Sequence, residues 1–337
     1  MKPNLFHFAT SELSQDAFLC WLLSWAKPEC SEPWSNLHQV GCDLLSLIYR
    51  KADRVMPGPL TSLDVKRQSD NIDILCIIND DTAILIEDKV GTKQHSNQLA
   101  IYKEHVITRL GFAPEKVVLI YVQTGDQSDY NEVAKQGYQV LTRVELLVVL
   151  ESDTAKMARQ SSDILDCFAL HLRQVEDDVQ SYLLLPLEKW TWNSWKGFYS
   201  HIQTTLGQGN WDYVSNANGG FLGFWWHFTG DEICEVYLQM EQKKFCFKIV
   251  PPADQDRSRL GNEWSARIIN QGANHGLRAT RPSRIRSGDY MTVAVLTEEF
   301  RMVNDNGLID LAATIEILRA AQCVVDECLI ANELVQS

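Results

Sequence analysis

Residues 73–90 read DILCIINDDTAILIEDKV. Two runs rich in Ile and Leu flank Asn79–Asp80–Asp81, a polar turn signal. Together they predict an antiparallel hairpin that is largely buried. The second run then ends on Glu87, Asp88 and Lys89, three charges at the end of an otherwise apolar strand. A turn at 79–81 folds the start of the first strand onto the end of the second, so Asp73 is expected beside Glu87–Lys89. Glu87 and Lys89 are two residues apart and project to one sheet face, while Asp88 projects to the other. Two carboxylates at one point offer hard oxygen ligands for Mg2+ or Mn2+. A neighbouring Lys can hold or deprotonate an attacking water and offset charge developing on a phosphate. The competing reading is a solvated strand end; Asp80 and Asp81 are read as turn residues only.

Outward from the hairpin, Thr10 or Ser11 can cap a helix through Leu23 and Trp25, and a second helix is expected over about 35–50. Residues 62–68, SLDVKRQ, alternate weakly as a strand. A helix containing QLAIY (98–102) follows the hairpin and ends at Gly111. Residues 115–125, EKVVLIYVQTG, make a nearly all-apolar strand suited to a covered sheet interior. YQVLT (138–142), a short helix at 143–152 and a long helix over about 154–176 complete an α/β domain with a mixed central sheet.

The composition changes after about residue 180, where six of the ten Trp fall between Trp190 and Trp226. Strands are expected at GFLGFWWHF, EICEVYLQME, KKFCFKIV and YMTVAVL. Helices are expected at 193–207, at about 254–271 and at the C-terminus. This half reads as α+β, an antiparallel sheet with helices on one face. The expected domains are 1–180 and 181–337.

The 337 residues are 45% hydrophobic and 22% charged, an ordinary globular composition with a formal net charge of −13. Nine Cys, none in a Cys-x-x-Cys pair, read as reduced thiols rather than a disulfide framework or a zinc site. The N-terminus has no signal-like apolar region and no run of about 20 apolar residues occurs, so a cytoplasmic protein with no membrane partner is expected.

The spacing Asp73-x(13)-Glu87-x-Lys89 on adjacent strands resembles the PD-(D/E)XK nuclease superfamily, and the likeness covers roughly the first 125 residues. Gln98 and Tyr102 stand at the Gln-x-x-x-Tyr spacing that some branches carry on the following helix. Glu12, with Asp16 one turn on, matches the acid that the family often supplies from its first helix. The resemblance is to a bacterial PD-(D/E)XK nuclease-like branch. Ile72 precedes Asp73 where the name-giving Pro would stand, a common departure.

The resemblance implies a restriction-endonuclease-like fold and metal-dependent hydrolysis of phosphodiester bonds, with DNA favoured over RNA. Asp73, Glu87 and the Asp88 backbone carbonyl would hold Mg2+ or Mn2+. Lys89 would act on the water, and Gln98 would orient the water or Lys89. Tyr102 would support Gln98 or contact phosphate, and Glu12 would complete the acidic cluster. Against these roles stand a helix-dipole acid for Glu12 and a plain amphipathic face for Gln98 and Tyr102. Lys93 and His95 are read as an exposed loop. Proteins of this layout suggest restriction or phage-defence effectors by analogy.

The second half offers no catalytic motif, and substrate recognition or self-association as a homo-oligomer are its expected roles. Residues 251–290 hold seven Arg against four acids, a local balance of +3, and Arg278, Arg281, Arg284 and Arg286 fall in one loop-like stretch. Arginines there suit phosphate contacts; ion pairing with the acidic remainder is the equal alternative. Most of the Trp set is expected in the core rather than stacked on bases. The rival functions are a catalytically inactive nuclease-like binding or assembly protein, and an unrelated enzyme sited in the Trp-rich half.

Overall fold

The computed structural model describes residues 3–32, 34–94, 97–216, 219–231 and 234–336, the last six as backbone only. His95 lies outside the described residues. The chain divides into two compact units, Met1–Asp177 and Asp178–Ser337.

The first unit contains helices α1 (Glu12–Ser24) and α2 (Ser35–Lys51), then strands β1 (Leu63–Ser69), β2 (Ile72–Ile78) and β3 (Thr82–Lys89). α3 (Gln98–Thr108), β4 (Val117–Gln123), α4 (Asn131–Lys135), β5 (Gln139–Thr142), α5 (Arg143–Leu150), α6 (Asp153–Arg159) and α7 (Asp163–Gln180) follow. The sheet order is β1-β2-β3-β4-β5, antiparallel from β1 to β3 and parallel from β3 to β5. It is the mixed α/β sheet that the sequence predicts.

Both sheet faces are covered, which is why β2, β3 and β4 read as continuous apolar runs. Ile74, Cys76, Ile84, Ile86 and Val118 pack with α1, α2, α5 and α7 on one side. Leu75, Ala83, Leu85 and Leu119 pack with Leu99 and Val106 of α3 on the other. Two turns fix the register. Asp70 and Asn71 both have positive φ between β1 and β2, and so do Asn79 and Asp80 between β2 and β3. Asn79 also accepts the Thr61 and Ser62 amides, fastening the second turn to the chain entering β1.

The expected helix over 154–176 is instead two, α6 and α7. The Ser162 hydroxyl accepts the Leu165 amide and starts α7 afresh, and Arg159 reaches across the break to Asp166 (2.9 Å).

The second unit contains α8 (Trp192–Leu206), β6 (Asn210–Val214), β7 (Phe221–Gly230), β8 (Glu235–Glu241), β9 (Lys244–Val250), α9 (Arg257–Asn274), β10 (Ala279–Thr280), β11 (Met291–Leu296) and α10 (Leu311–Gln336). Its sheet is antiparallel throughout, in the order β10-β11-β9-β8-β7-β6. The edge strands β6 and β10 were not expected; both are short and carry little apolar alternation. Trp195, Trp211 and Trp226 are buried in the core under the helices, as core rather than stacking residues. Trp190 is partly buried against that core, whereas Trp192 is exposed. Among the described residues no helix is long and apolar enough to cross a membrane.

Candidate active site

The register Ile74↔Ile86 brings Asp73 to the position across from Glu87. Regular pairing stops there, and the Asp73 Oδ2 accepts the Asp88 backbone N–H at 3.0 Å. Asp73 Oδ1 accepts from Gln68 Nε2 at 3.0 Å. The Asp73 carboxylate is thus fixed by two donors at the end of the hairpin.

Strand alternation sets Glu87 and Lys89 on the α3 face, in line with Ala83 and Leu85. All three charged residues are buried: Glu87 is 2% exposed, Asp88 0% and Lys89 5%. Lys89 Nζ lies 2.5 Å from Glu87 Oε1, 3.9 Å from Asp73 Oδ2 and 3.8 Å from Glu12 Oε2. It also donates to the Asp88 carbonyl at 3.2 Å. The ammonium therefore stands at the point that all three expected ligand oxygens share. Glu87 Oε2 is buried without a hydrogen-bond partner.

The electrostatics follow from this crowding. Burial first, and then the Asp73 charge, push the Glu87 carboxyl up to about 7, against the lowering effect of Lys89. Burial pulls the Lys89 ammonium down, yet its hydrogen bond to Glu87 and the charges of Glu87, Glu12 and Asp73 hold it above its ordinary range. Carboxylates so short of positive charge suit a hard cation. Among the described residues no three His, Cys, Asp or Glu side chains gather as a metal site. Two carboxylates and a main-chain oxygen nonetheless fit an ion such as Mg2+, which keeps several waters.

Glu12 begins α1 and reaches the same strand end. Its Oε1 accepts from Thr92 Oγ1 (2.5 Å) and the Val90 amide (3.4 Å). Gln98 and Tyr102 bond to each other, Nε2 to hydroxyl at 2.9 Å, and Gln98 Oε1 is buried and unpartnered. Burial, and to a lesser degree the Glu87 and Asp73 charges, raise the Tyr102 phenol. The structure thus gathers Asp73, Glu87, Lys89 and Glu12, and joins Gln98 to Tyr102. No hydrogen bond links Gln98 to Lys89 among the described residues.

A second polar layer, absent from the sequence reading, lies on the α1 side. The buried Asp88 carboxylate accepts from Gln15 Nε2 at 2.6 Å, and Thr124 Oγ1 donates to Gln15 Oε1 at 2.9 Å. Gln68 Nε2 bridges Asp73 to Asp16, 3.1 Å from Asp16 Oδ2. Burial, with the Asp73 charge behind it, pushes Asp16 up to about 6. Burial also raises Asp88 well above the carboxylate range, against the lowering effect of the Gln15 hydrogen bond. Gln15→Leu would strip that buried pair of its donor. A loss of about 1–3 kcal/mol in urea unfolding is expected.

The strand end is also pinned from β4. The Thr124 amide donates to the Lys89 carbonyl at 3.1 Å, and buried Arg143 holds the Thr124 carbonyl, Asp126 and Glu176. At Gly125 an added Cβ would lie 1.5 Å from the Val90 carbonyl oxygen, so the backbones touch one residue past Lys89. Gly125→Ala must push this crossing apart. A destabilisation of about 1–3 kcal/mol and weaker cleavage are expected, read by thermal unfolding and nuclease assay.

The arginine stretch is split by its partners. Arg278 pairs with Glu298 at 3.1 Å, an exposed pair. Arg281, Arg284 and Arg286 are exposed and form no ion pair among the described residues.

Residues 59–184 match the family model of the PD-(D/E)XK nuclease superfamily. This region belongs to that superfamily. The match takes in Asp73, Glu87, Asp88, Lys89, Gln98 and Tyr102 and leaves Glu12 outside. The mixed five-stranded sheet with flanking helices is consistent with the PD-(D/E)XK fold, and the membership supports a nuclease-type function on nucleic acid. No curated protein and no solved structure matches the chain significantly.

Proposed function

We propose that the chain is a cytoplasmic nuclease that depends on Mg2+ or Mn2+ and hydrolyses phosphodiester bonds, of DNA in preference to RNA. The observation that carries this reading is the convergence of Asp73, Glu87 and the Asp88 carbonyl on one cation position, occupied by Lys89 Nζ. Those three groups would hold the ion, which when bound polarises the phosphate and acidifies water.

The chain's own residues do the rest. The Asp88 amide and Gln68 lock the Asp73 carboxylate in place before substrate arrives. Lys89 is kept protonated by its acidic neighbours, so its first capability is donation from Nζ to a water or to a phosphate oxygen gaining charge. Nζ becomes a base only when the charge of Glu87 and Asp73 is neutralised. Gln98 Oε1, buried with a vacant lone pair, accepts from that water or from Lys89, and Tyr102 holds the amide. The second unit serves substrate recognition or self-association. Such an activity suits a restriction or phage-defence effector.

The test is cleavage of plasmid, single-stranded DNA and RNA by the purified chain with Mg2+ or Mn2+. Cleavage that stops on addition of EDTA is expected. No cleavage of any of these under either ion would overturn the reading.

A further inference from the structure

The six-stranded sheet of the second unit has two faces of opposite character. Leu222, Phe224 and Trp226 of β7 face the core, with Val236 and Leu238 of β8 and Phe245 and Phe247 of β9. The other face carries Trp225, Phe228, Tyr237, Gln239, Lys248 and Tyr290, which line a cavity of about 530 Å3.

This face is built, not left over. Between Trp226 and Thr229 the β7–β8 register shifts by one residue, a bulge with His227 at φ +57°. In an unbroken strand Phe228 would follow Trp226 into the core by alternation. The extra residue turns Phe228 outward onto Tyr237, ring centroids 4.7 Å apart and nearly parallel. Asp326 holds the bulged His227 at 2.8 Å. Phe228 stays 52% exposed and Tyr290 67%. Gly223 keeps the gap between Phe221 and Trp225 open, since a Cβ there would come within 3.2 Å and 3.5 Å of them.

The cavity floor is polar and buried. Gln239 is 6% exposed and Lys248 9%. Gln239 Nε2 donates to Glu241 at 3.1 Å, and the Glu241 carboxylate is balanced by Lys244 (3.1 Å) and Lys248 (3.7 Å). Lys248 Nζ stands 6.0 Å from the Tyr237 ring centroid. The chain entering the cavity at Tyr290 first passes Arg281, Arg284 and Arg286, three exposed guanidiniums with no ion pair among the described residues, in a protein of net charge −13.

We propose that this cavity stacks unpaired bases of a single-stranded nucleic acid whose phosphates lie along Arg281, Arg284 and Arg286. Exposed rings with a hydrogen-bonding floor suit base faces and edges, and exposed arginines suit a polyanion. A duplex keeps its bases stacked on one another and offers none to the rings. The proposal deepens the nuclease reading and rests on it for the nature of the polymer, but its test does not depend on cleavage.

The wild-type chain in EDTA is titrated with labelled 12-mers of oligo(dT) and oligo(rU) and with a 12-base-pair duplex, by fluorescence anisotropy. At least one single strand should bind about tenfold or more tightly than the duplex. Phe228→Ala with Tyr290→Ala, both exposed and so harmless to folding, should weaken that binding about tenfold or more. Replacing the three arginines with Ala should flatten the slope of log K against log salt by about 2. The dT and rU arms separate DNA from RNA. Equal binding of duplex and single strands, or single-strand binding unchanged in the double aromatic variant, would overturn the proposal. A chain that binds in this way but never cleaves would leave it standing and remove the nuclease reading. A chain that cleaves without such binding would do the reverse.

Discussion

Lys89→Ala protein will cleave nucleic acid about 10²–10⁴-fold more slowly than wild type at saturating metal, the range expected for loss of a positioned proton donor or base. The side chain is 5% exposed, and its ion pairs among the described residues are with Glu12, Asp73 and Glu87, so its removal acts on the site. Its loss also leaves Glu87 and Asp73 facing each other across the hairpin without the cation between them. Metal-free Lys89→Ala protein should therefore be less stable than wild type at pH 8, and Mn2+ should restore it by taking the vacated charge position. Lys89→Arg tests shape separately. It keeps the charge but fills the shared point with a planar group, so activity should stay low while metal-free stability recovers. Cleavage rates of Lys89→Ala within threefold of wild type would show that the chemistry lies elsewhere.

The second large effect is on stability against pH. Glu87 sits at about 7 in the folded chain against an ordinary 4.5, and Asp16 at about 6 against 3.8. Each folded carboxyl holds a proton that the unfolded chain releases. Their stabilising contribution is present below about pH 4 and is lost as pH rises through 6 and 7. For Glu87 the shift corresponds to on the order of 3 kcal/mol. Acids with lowered values, such as Glu145 and Glu151 beside Lys51 and Arg173, act in the opposite sense but below that window. His171 and His201, which burial depresses, also act in the opposite sense. The comparison is therefore between wild type and Glu87→Gln. In EDTA, urea unfolding between pH 5 and pH 8 should show wild type losing more stability than the variant. Mn2+ should stabilise wild type far more at pH 8 than at pH 5, because only the ionised carboxylates bind it. Parallel profiles for the two proteins would refute the placement of Glu87.

The hairpin and its consequence were legible because both depend on short-range rules. A turn at 79–81 fixes which residues lie opposite, and a period of two fixes which face they share. From these, Asp73 could be set across from Glu87 and Asp88 turned away. The second polar layer was not legible. Gln15 and Asp88 are 73 positions apart, and Thr124 is another 36 along; no periodicity connects them. Arg143 reads as the start of a short apolar helix, and only its partners Asp126 and Glu176 reveal a tether for the loop after β4. The outward face of Phe228 was not legible for a local reason: simple alternation along β7 would put it in the core, and the bulge at His227 reverses its face. The break between α6 and α7 was hidden because apolar spacing runs past it, while Ser162 supplies a new cap.

On the proposed reading, Asp73, Glu87 and the Asp88 carbonyl form one cation position that Lys89 holds in the absence of metal. A crystal structure of the protein soaked with Mn2+, with anomalous data collected at the manganese edge, tests it most directly. A single strong peak is expected between the Asp73 and Glu87 carboxylates, within reach of the Asp88 carbonyl, with Lys89 Nζ displaced from Glu87 Oε1. No peak there, or a peak on the Asp16–Asp88 side of the sheet with Lys89 still seated on Glu87, would contradict it.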